Sequence, residues 1–597
     1  MKFVCGLALV LACCLNLSCA AQDSDTDADQ ESIAPVESVK ERPLITEFNL
    51  GDNPAIEKHI ATLLKKYVTL FNRQPEAKTL SEVRLARFAA RREIANIVAT
   101  EGYFAPAVSF VVETRNEKRF VHVNLDLGPV TKVASVQVRF IDDVVPATLQ
   151  QSIKTQWGLP KGTVFRDDDW TRAKNSALSS LTDKSFAAAK ISDSRAIVQD
   201  QLADLSVDLD SGPAFYFGDL KIDGLRRYQP WLVDRYRPPV KGEPYSRAAL
   251  LKFQRELQNS PYFSTVTVNV DPDPAVAQAV PVEVLITERQ QHDLGFGAGY
   301  STNTGARGEV SYRDRNFLGD AYDFRSVIRI EQLRQIGYVD IYLPPRLSGY
   351  LDSVGVLMNR SDISGLLTST SSFGAKRAIT ENDIERRLGL SYVYEKSTVA
   401  GGNESLAKAL VASIGWTRRK VDSAFAPRQG YIAQFDIAAA AKAALSDQNF
   451  VRFYGKFQYW IPVAARDVII LRAEAGYVLA PSSDGIPEDY LFRAGGTASV
   501  RGYSYQSLGV NEAAGVVGGR ALLTGTAEYV HWLENDWGVA AFLDEGNAAD
   551  RFSQLQLQQG IGAGLRFKTP AGPIALDLAY GKQVKKFRLD FSIGIAF

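Results

Sequence analysis

No cysteine follows residue 19. Cys5, Cys13, Cys14 and Cys19 are the only four in the chain. Removal of the segment that carries them leaves no disulfide framework and no thiolate metal site. Histidine is equally sparse, and His59, His122, His292 and His531 are too scattered to suggest a metal cluster. No nucleophile elbow, zinc motif or phosphate loop stands out, so neither a cofactor, a metal nor an enzymatic activity is expected. Charge of one sign is also lacking: 68 Lys and Arg balance 68 Asp and Glu. That removes a global attraction to nucleic acid or to anionic lipid. Finally, no stretch after the N-terminal segment holds the ~20 apolar residues of a membrane helix.

What is present begins at the N-terminus. Met1-Lys2 precedes an uncharged, mostly apolar stretch, and Ser18-Cys19-Ala20 supplies small residues around a cleavage point after Ala20 or Ala21. Residues 1–21 therefore read as a secretory signal peptide. An uncleaved anchor is the alternative, but the apolar core is shorter than the ~20 residues of a span. A lipoprotein signal at Cys19 is disfavoured by Asn16, where such signals usually carry Leu. Residues 22–43 are acidic and poor in apolar residues, with Asp23, Asp25, Asp27, Asp29 and Glu31 ahead of Pro35 and Pro43. That composition predicts a disordered linker.

Next comes a repeat. Gly128-Pro129 precedes a strand with Val133, Val136 and Val138, and Gly212-Pro213 precedes one with Phe217, Leu220 and Ile222, an offset of 84 residues throughout. Phe104, Phe186 and Phe263 each precede an alternating strand and lie 82 and 77 residues apart. Helical stretches fit between them. From Ser81 to Thr100, for instance, Val83, Leu85, Phe88, Ile94, Ile97 and Val98 are expected near one face. The predicted units are 44–128, 129–211 and 212–289, each α+β. The first lacks the Gly-Pro entry of the others.

From 290 onward the texture changes. Leu294, Phe296, Ala298 and Tyr300 alternate with Gly295, Gly297 and Gly299, and at the end Phe591, Ile593, Ile595 and Phe597 alternate with Ser592, Gly594 and Ala596. This period of two, sustained to residue 597, exceeds a normal sandwich and predicts an antiparallel transmembrane β-barrel. Division of residues 292–597 by roughly 19 per strand and loop suggests about sixteen strands, an even number. In lipid every backbone polar group must be paired, so the sheet has to close. The closing pair would be 292–301 and 588–597. The three glycines either weaken that seam or relieve crowding in the lumen, and the residues alone leave both open.

Two motifs narrow the reading. Leu491-Phe492-Arg493-Ala494-Gly495-Gly496-Thr497-Ala498-Ser499-Val500-Arg501-Gly502-Tyr503 falls in a long loop, about 483–518, between two strands. Phe542, Asp544 and Gly546 follow at alternate positions of a later strand, and Glu528 is a further polar residue expected in the lumen. An arginine and a carboxylate are costly in a barrel wall unless they face inward and pair. Together the motifs resemble the lumen lock of the Omp85 superfamily. Asp314-Arg315-Asn316-Phe317-Leu318-Gly319, Pro427-Arg428-Gln429-Gly430, Pro570-Ala571-Gly572-Pro573-Ile574 and the terminal Phe597 resemble other pieces of that pattern. The three α+β units resemble its periplasmic POTRA domains.

The resemblance implies a loop folded into the barrel, with Arg501-Gly502-Tyr503 against a wall partner Asp544 flanked by Phe542 and Gly546. It implies a lateral seam formed by Gly295, Gly297, Gly299, Ile593, Gly594, Ile595 and Phe597. Three POTRA units before sixteen strands resemble the TamA-like branch, which assembles outer-membrane barrels and autotransporters with an inner-membrane-anchored TamB-like partner. The bacterial outer membrane, with the POTRA units in the periplasm, is the location implied. The acidic linker 22–43 is foreign to the pattern. A two-partner-type secretion channel is the alternative within the superfamily, although it normally has two POTRA units. A passive porin would need no POTRA repeat.

Overall fold

The computed structural model describes residues 42–50, 57–533, 536–569 and 574–593. The predicted signal peptide, nearly all of the acidic linker, Pro570 to Pro573 and Gly594 to Phe597 lie outside these. The chain divides into two compact units, and the boundary passes through the second repeat.

Three small mixed sheets are built as the repeat predicts. The first runs Glu76–Lys78, Leu44–Leu50, Lys118–Asp126, Ala107–Arg115. The second runs Lys132–Phe140, Leu202–Asp210, Lys190–Gln199, and the third Phe217–Asp223, Val280–Glu288, Phe263–Val270. The 84-residue offset extends to hydrogen bonding. Gly128 N–H donates to Asp126 and Gly212 N–H to Asp210, each at 3.1 Å. Both glycines have positive φ, +66° and +59°, the left-handed geometry that glycine adopts without steric cost.

In the first unit the helix Leu80–Thr100 opens with a capping box: Thr79 N–H donates to Glu82 at 2.7 Å, and Glu82 N–H to the Thr79 hydroxyl at 3.3 Å. Val83, Ala90, Ile94 and Val98 are buried with Ile60, Leu64, Val123 and Leu125. Leu85 and Phe88 are not on that face, contrary to the sequence reading; they are 72% and 76% exposed. At about 100° per residue they point away from the Val83–Ile94 stripe. The aromatic repeat is also unequal. Phe186 and Phe263 are buried, but Phe104 is half exposed and stacks on Phe165 at 5.9 Å.

The third unit is continuous with the barrel. Its core of Phe217, Phe253, Leu257, Tyr262, Phe263 and Val282 includes Ala321 of the barrel's first long turn. Tyr262 Oη donates to the Ala321 carbonyl at 2.7 Å, and Tyr228 Oη to the Arg315 carbonyl at 3.1 Å. This gives the Asp314–Gly319 motif its role: Asn316 accepts from Ala321 N–H at 2.9 Å and shapes the turn that the tyrosines grip. Beside it Asp323, fully buried, accepts from Arg313 at 2.7 and 2.8 Å and from Arg325 at 2.9 and 2.6 Å. Arg313 and Arg325 are direct cross-strand neighbours, a repulsive pairing that Asp323 offsets.

The barrel is a 16-stranded antiparallel sheet from His292–Ser301 to Lys586–Ile593. Each strand pairs with its sequence neighbour, the loop hairpin Val510–Glu512 and Gly515–Val517 excepted. Leu294, Phe296 and Tyr300 point outward and are exposed. Gly295, Gly297 and Gly299 face Ser311, Glu309 and Arg307 across the ladder, on the inner side. Apolar residues thus meet lipid and polar ones meet the lumen.

Candidate functional site: an inward loop, a charged wall and a seam

Residues 480–520 connect Asp467–Leu479 to Ala521–Trp532. Glu528 lies on the second of these strands, Phe542 and Asp544 on Trp537–Ala549, and Asp577 on Ile574–Gly581. In strands alternate residues share a face, so Phe542 and Asp544 both point inward, and Glu528 sits directly across from Phe542.

The loop brings Arg501 onto this wall. Its Nε and Nη2 grip the Asp544 carboxylate at 2.7 and 2.9 Å, and its backbone N–H donates to Asp544 at 3.0 Å. Nη1 reaches Glu528 at 2.8 Å and Asp577 at 3.0 Å. The guanidinium lies 3.4 Å over the Phe542 ring, a cation–π contact that desolvation strengthens. Arg566 closes the network from the next strand, donating to Glu528 at 3.0 and 2.8 Å and to Asp577 at 2.5 Å. Arg501 is 3% exposed and Asp544 0%. Burial on this scale is tolerable only because each charge is hydrogen-bonded by a charge of opposite sign.

Gly502 and Tyr503 extend the contact to the last strand. Gly502 N–H donates to Asp590 at 3.2 Å, and Tyr503 Oη contacts the Gln559 carbonyl at 3.2 Å and Gln583 at 2.5 Å. Gly502 has φ +90°, and a Cβ there would stand 2.8 Å from the Gly581 nitrogen. The wall is thinned to match: a Cβ on Gly560 would stand 2.0 Å from the Arg501 carbonyl oxygen. Among the described residues Gly546 makes no hydrogen bond to the loop tip; its position is closed by Thr524.

A second anchor holds the base of the loop. Glu488 N–H donates to Glu395 at 2.7 Å, Thr370 donates to the same carboxylate at 2.8 Å, and Gly518 N–H donates to Glu488 at 2.8 Å. Phe492 stacks on Tyr454 at 6.2 Å under Arg452. Sequence reasoning missed this anchor, along with Asp577, Arg566 and Asp590. Glu395, Asp577, Arg566 and Asp590 are each a single charge in an alternating strand, and only presence on the inner register marks them.

The first and last strands meet differently. Among the described residues no ladder joins His292–Ser301 to Lys586–Ile593. Thr302 instead bridges them: its hydroxyl donates to the Phe591 carbonyl at 3.4 Å and accepts from Phe591 N–H at 3.3 Å, and its carbonyl accepts from Arg588 at 3.1 Å. The loop touches both sides, through Asn303 to Thr497 at 3.0 Å and through Ser504 to Arg588 at 3.0 Å. Of the predicted seam residues, the three glycines lie on the first strand, and Ile593 ends the described last strand opposite Ile574. Gly594, Ile595 and Phe597 fall outside the described residues.

Small mixed sheets, a 16-strand barrel with an apolar exterior and a loop locked to its inner wall define a membrane β-barrel preceded by α+β units. A profile of the Omp85 superfamily domain matches residues 291–597, and the chain belongs to that superfamily. Its location is the bacterial outer membrane, with the POTRA units in the periplasm. The chain is 22% identical over 444 residues to the outer membrane protein assembly factor BamA of Nitratidesulfovibrio vulgaris, covering 70% of this chain and 56% of that one. It is 21% identical to BamA of Neisseria meningitidis, covering 51% and 42%. The chain spans about half the length of the curated relatives it matches. Among solved structures, BamA from Haemophilus ducreyi lacking POTRA domains 1–3 is similar in fold, with a TM-score of 0.62 at 16% identity over 77% of this chain and 98% of that one.

Proposed function

We infer that the chain is a non-enzymatic assembly factor that helps insert β-barrel clients, autotransporters among them, into the outer membrane. The observation that carries this reading is the seam. Among the described residues the two barrel edges meet through Thr302 and Arg588, where every other neighbouring pair has a ladder, an arrangement that would leave main-chain donors and acceptors for a client strand to pair with. POTRA sheets with free edges would receive clients earlier, by addition of a strand. Three POTRA units ahead of sixteen strands favour a TamA-like factor, for which an inner-membrane-anchored TamB-like protein is the proposed partner.

Deletion of the gene, followed by comparison of outer-membrane and secreted proteomes with the parent, tests this. Loss of several barrels or autotransporters is expected. Loss of a single exoprotein from the medium with all barrels intact would instead make the chain a dedicated secretion channel.

A further inference from the structure

The outer face of the helix Leu80–Thr100 is unusual for a solvent-facing surface. Leu85 and Phe88 are largely exposed there, side by side at a spacing of three. Arg84, Arg91 and Arg92 are exposed around them, and among the described residues none of the three makes an ion pair. The acids of the helix are committed elsewhere. Glu82 caps Thr79, and Glu93 accepts from the Thr69 backbone and hydroxyl at 2.8 and 3.1 Å. Arg87 is also taken, lying 5.2 Å over the Phe110 ring. A face that pairs two bare apolar side chains with three uncompensated cations fits an occupant that is acidic and mildly apolar.

The chain carries such an occupant at the right place. Between Asp23 and Glu31 it has five acidic residues and no basic one, followed by Ile33, Val36 and Val39. This segment enters the fold at Leu44, whose register partner is Lys78, two residues ahead of the helix. The tether is therefore at the helix N-terminus. Twenty residues reach up to ~66 Å when extended, and Arg84 to Arg92 spans only about 12 Å of helix. Ile33, Val36 and Val39 lie nearer the tether and would meet Leu85 and Phe88. The acidic run lies farther out and would meet Arg91 and Arg92.

We propose that the acidic segment 22–41 docks on the outer face of this helix and covers the first POTRA unit. Tethering supplies an effective concentration in the millimolar range, so weak screened contacts suffice.

The absence of cysteine after residue 19 makes the test direct. Ala34→Cys combined with Ser81→Cys, on the outer face, is oxidised in the full chain in lipid nanodiscs. Ala34→Cys with Asn116→Cys is the control. Asn116 is exposed and also close to the tether, since Lys118 pairs with Ile45. Docking predicts disulfide formation about 10-fold faster for the first pair, slowing toward the control as salt rises to roughly 0.5 M. Asp23, Asp25, Asp27 and Asp29→Asn, which lies outside the packed domain, should slow it likewise, as should Arg84, Arg91 and Arg92→Ala. Equal rates for the two pairs, or a fast first pair indifferent to salt and to the Asp→Asn change, would overturn the proposal.

Discussion

The wall beneath Arg501 and the seam a few strands away belong to one sheet but are built on different physics. At the wall, Arg501 holds Asp544 and shares Glu528 and Asp577 with Arg566, almost without solvent. At the seam, Thr302 supplies a hydroxyl and a carbonyl at 3.1 to 3.4 Å. Removal of one partner from a buried charge cluster strands the others, whereas loss of a neutral hydrogen bond costs little. The loop therefore seats on buried, mutually paired charges, whereas the described contacts between the barrel's ends run through Thr302 and Arg588.

The comparison can be broken at its strong side first. Arg501→Ala should lower stability by about 3–5 kcal/mol, since Asp544 loses its cationic partner in a buried site; denaturant unfolding in detergent reads this. A midpoint equal to that of the parent would mean that the wall is no stronger than the seam. Gly502→Val should cost about 1–3 kcal/mol through left-handed strain and lift the loop from Gly581, visible as protease sensitivity within 483–518.

Acid sharpens the contrast. Outside the membrane, burial pushes the Glu288 carboxyl up, but three backbone donors, Arg226, Arg227 and Tyr228, outweigh it and hold it below the ordinary 4.5. A depressed folded value means that the stabilisation is present above the unfolded pKa and lost as pH falls through the folded one. Unfolding midpoints should therefore drop below pH 4 in the parent and less so in Glu288→Gln. The smallest global effect is expected at the seam. Thr302→Ala should cost only about 0.5–1.5 kcal/mol, yet raise hydrogen exchange at Phe591 more than at any strand of the wall.

Much of this was legible in the sequence. The strand period, the 84-residue offset and the Arg501–Asp544 pair follow from residue types whose cost in a membrane or a turn is high. Asp577 and Asp590 were not legible, because a single inward carboxylate has no spacing that ties it to a distant loop. Thr302 and Asn303 were hidden for a related reason: a polar hairpin looks the same wherever the barrel closes. Leu85 and Phe88 were misplaced because apolar content was weighed without its helical angle, and the exposed face they form was missed with them.

The grip of Tyr228 and Tyr262 on the turn at Arg315 and Ala321 has a mechanical consequence. Both hydroxyls are fixed on main-chain carbonyls inside a hydrocarbon core, and no glycine hinge lies between Glu288 and His292. The last POTRA unit is thereby fastened directly to the start of the barrel. A displacement of that unit would be passed to the strand His292–Ser301, which among the described residues has a ladder on one side only.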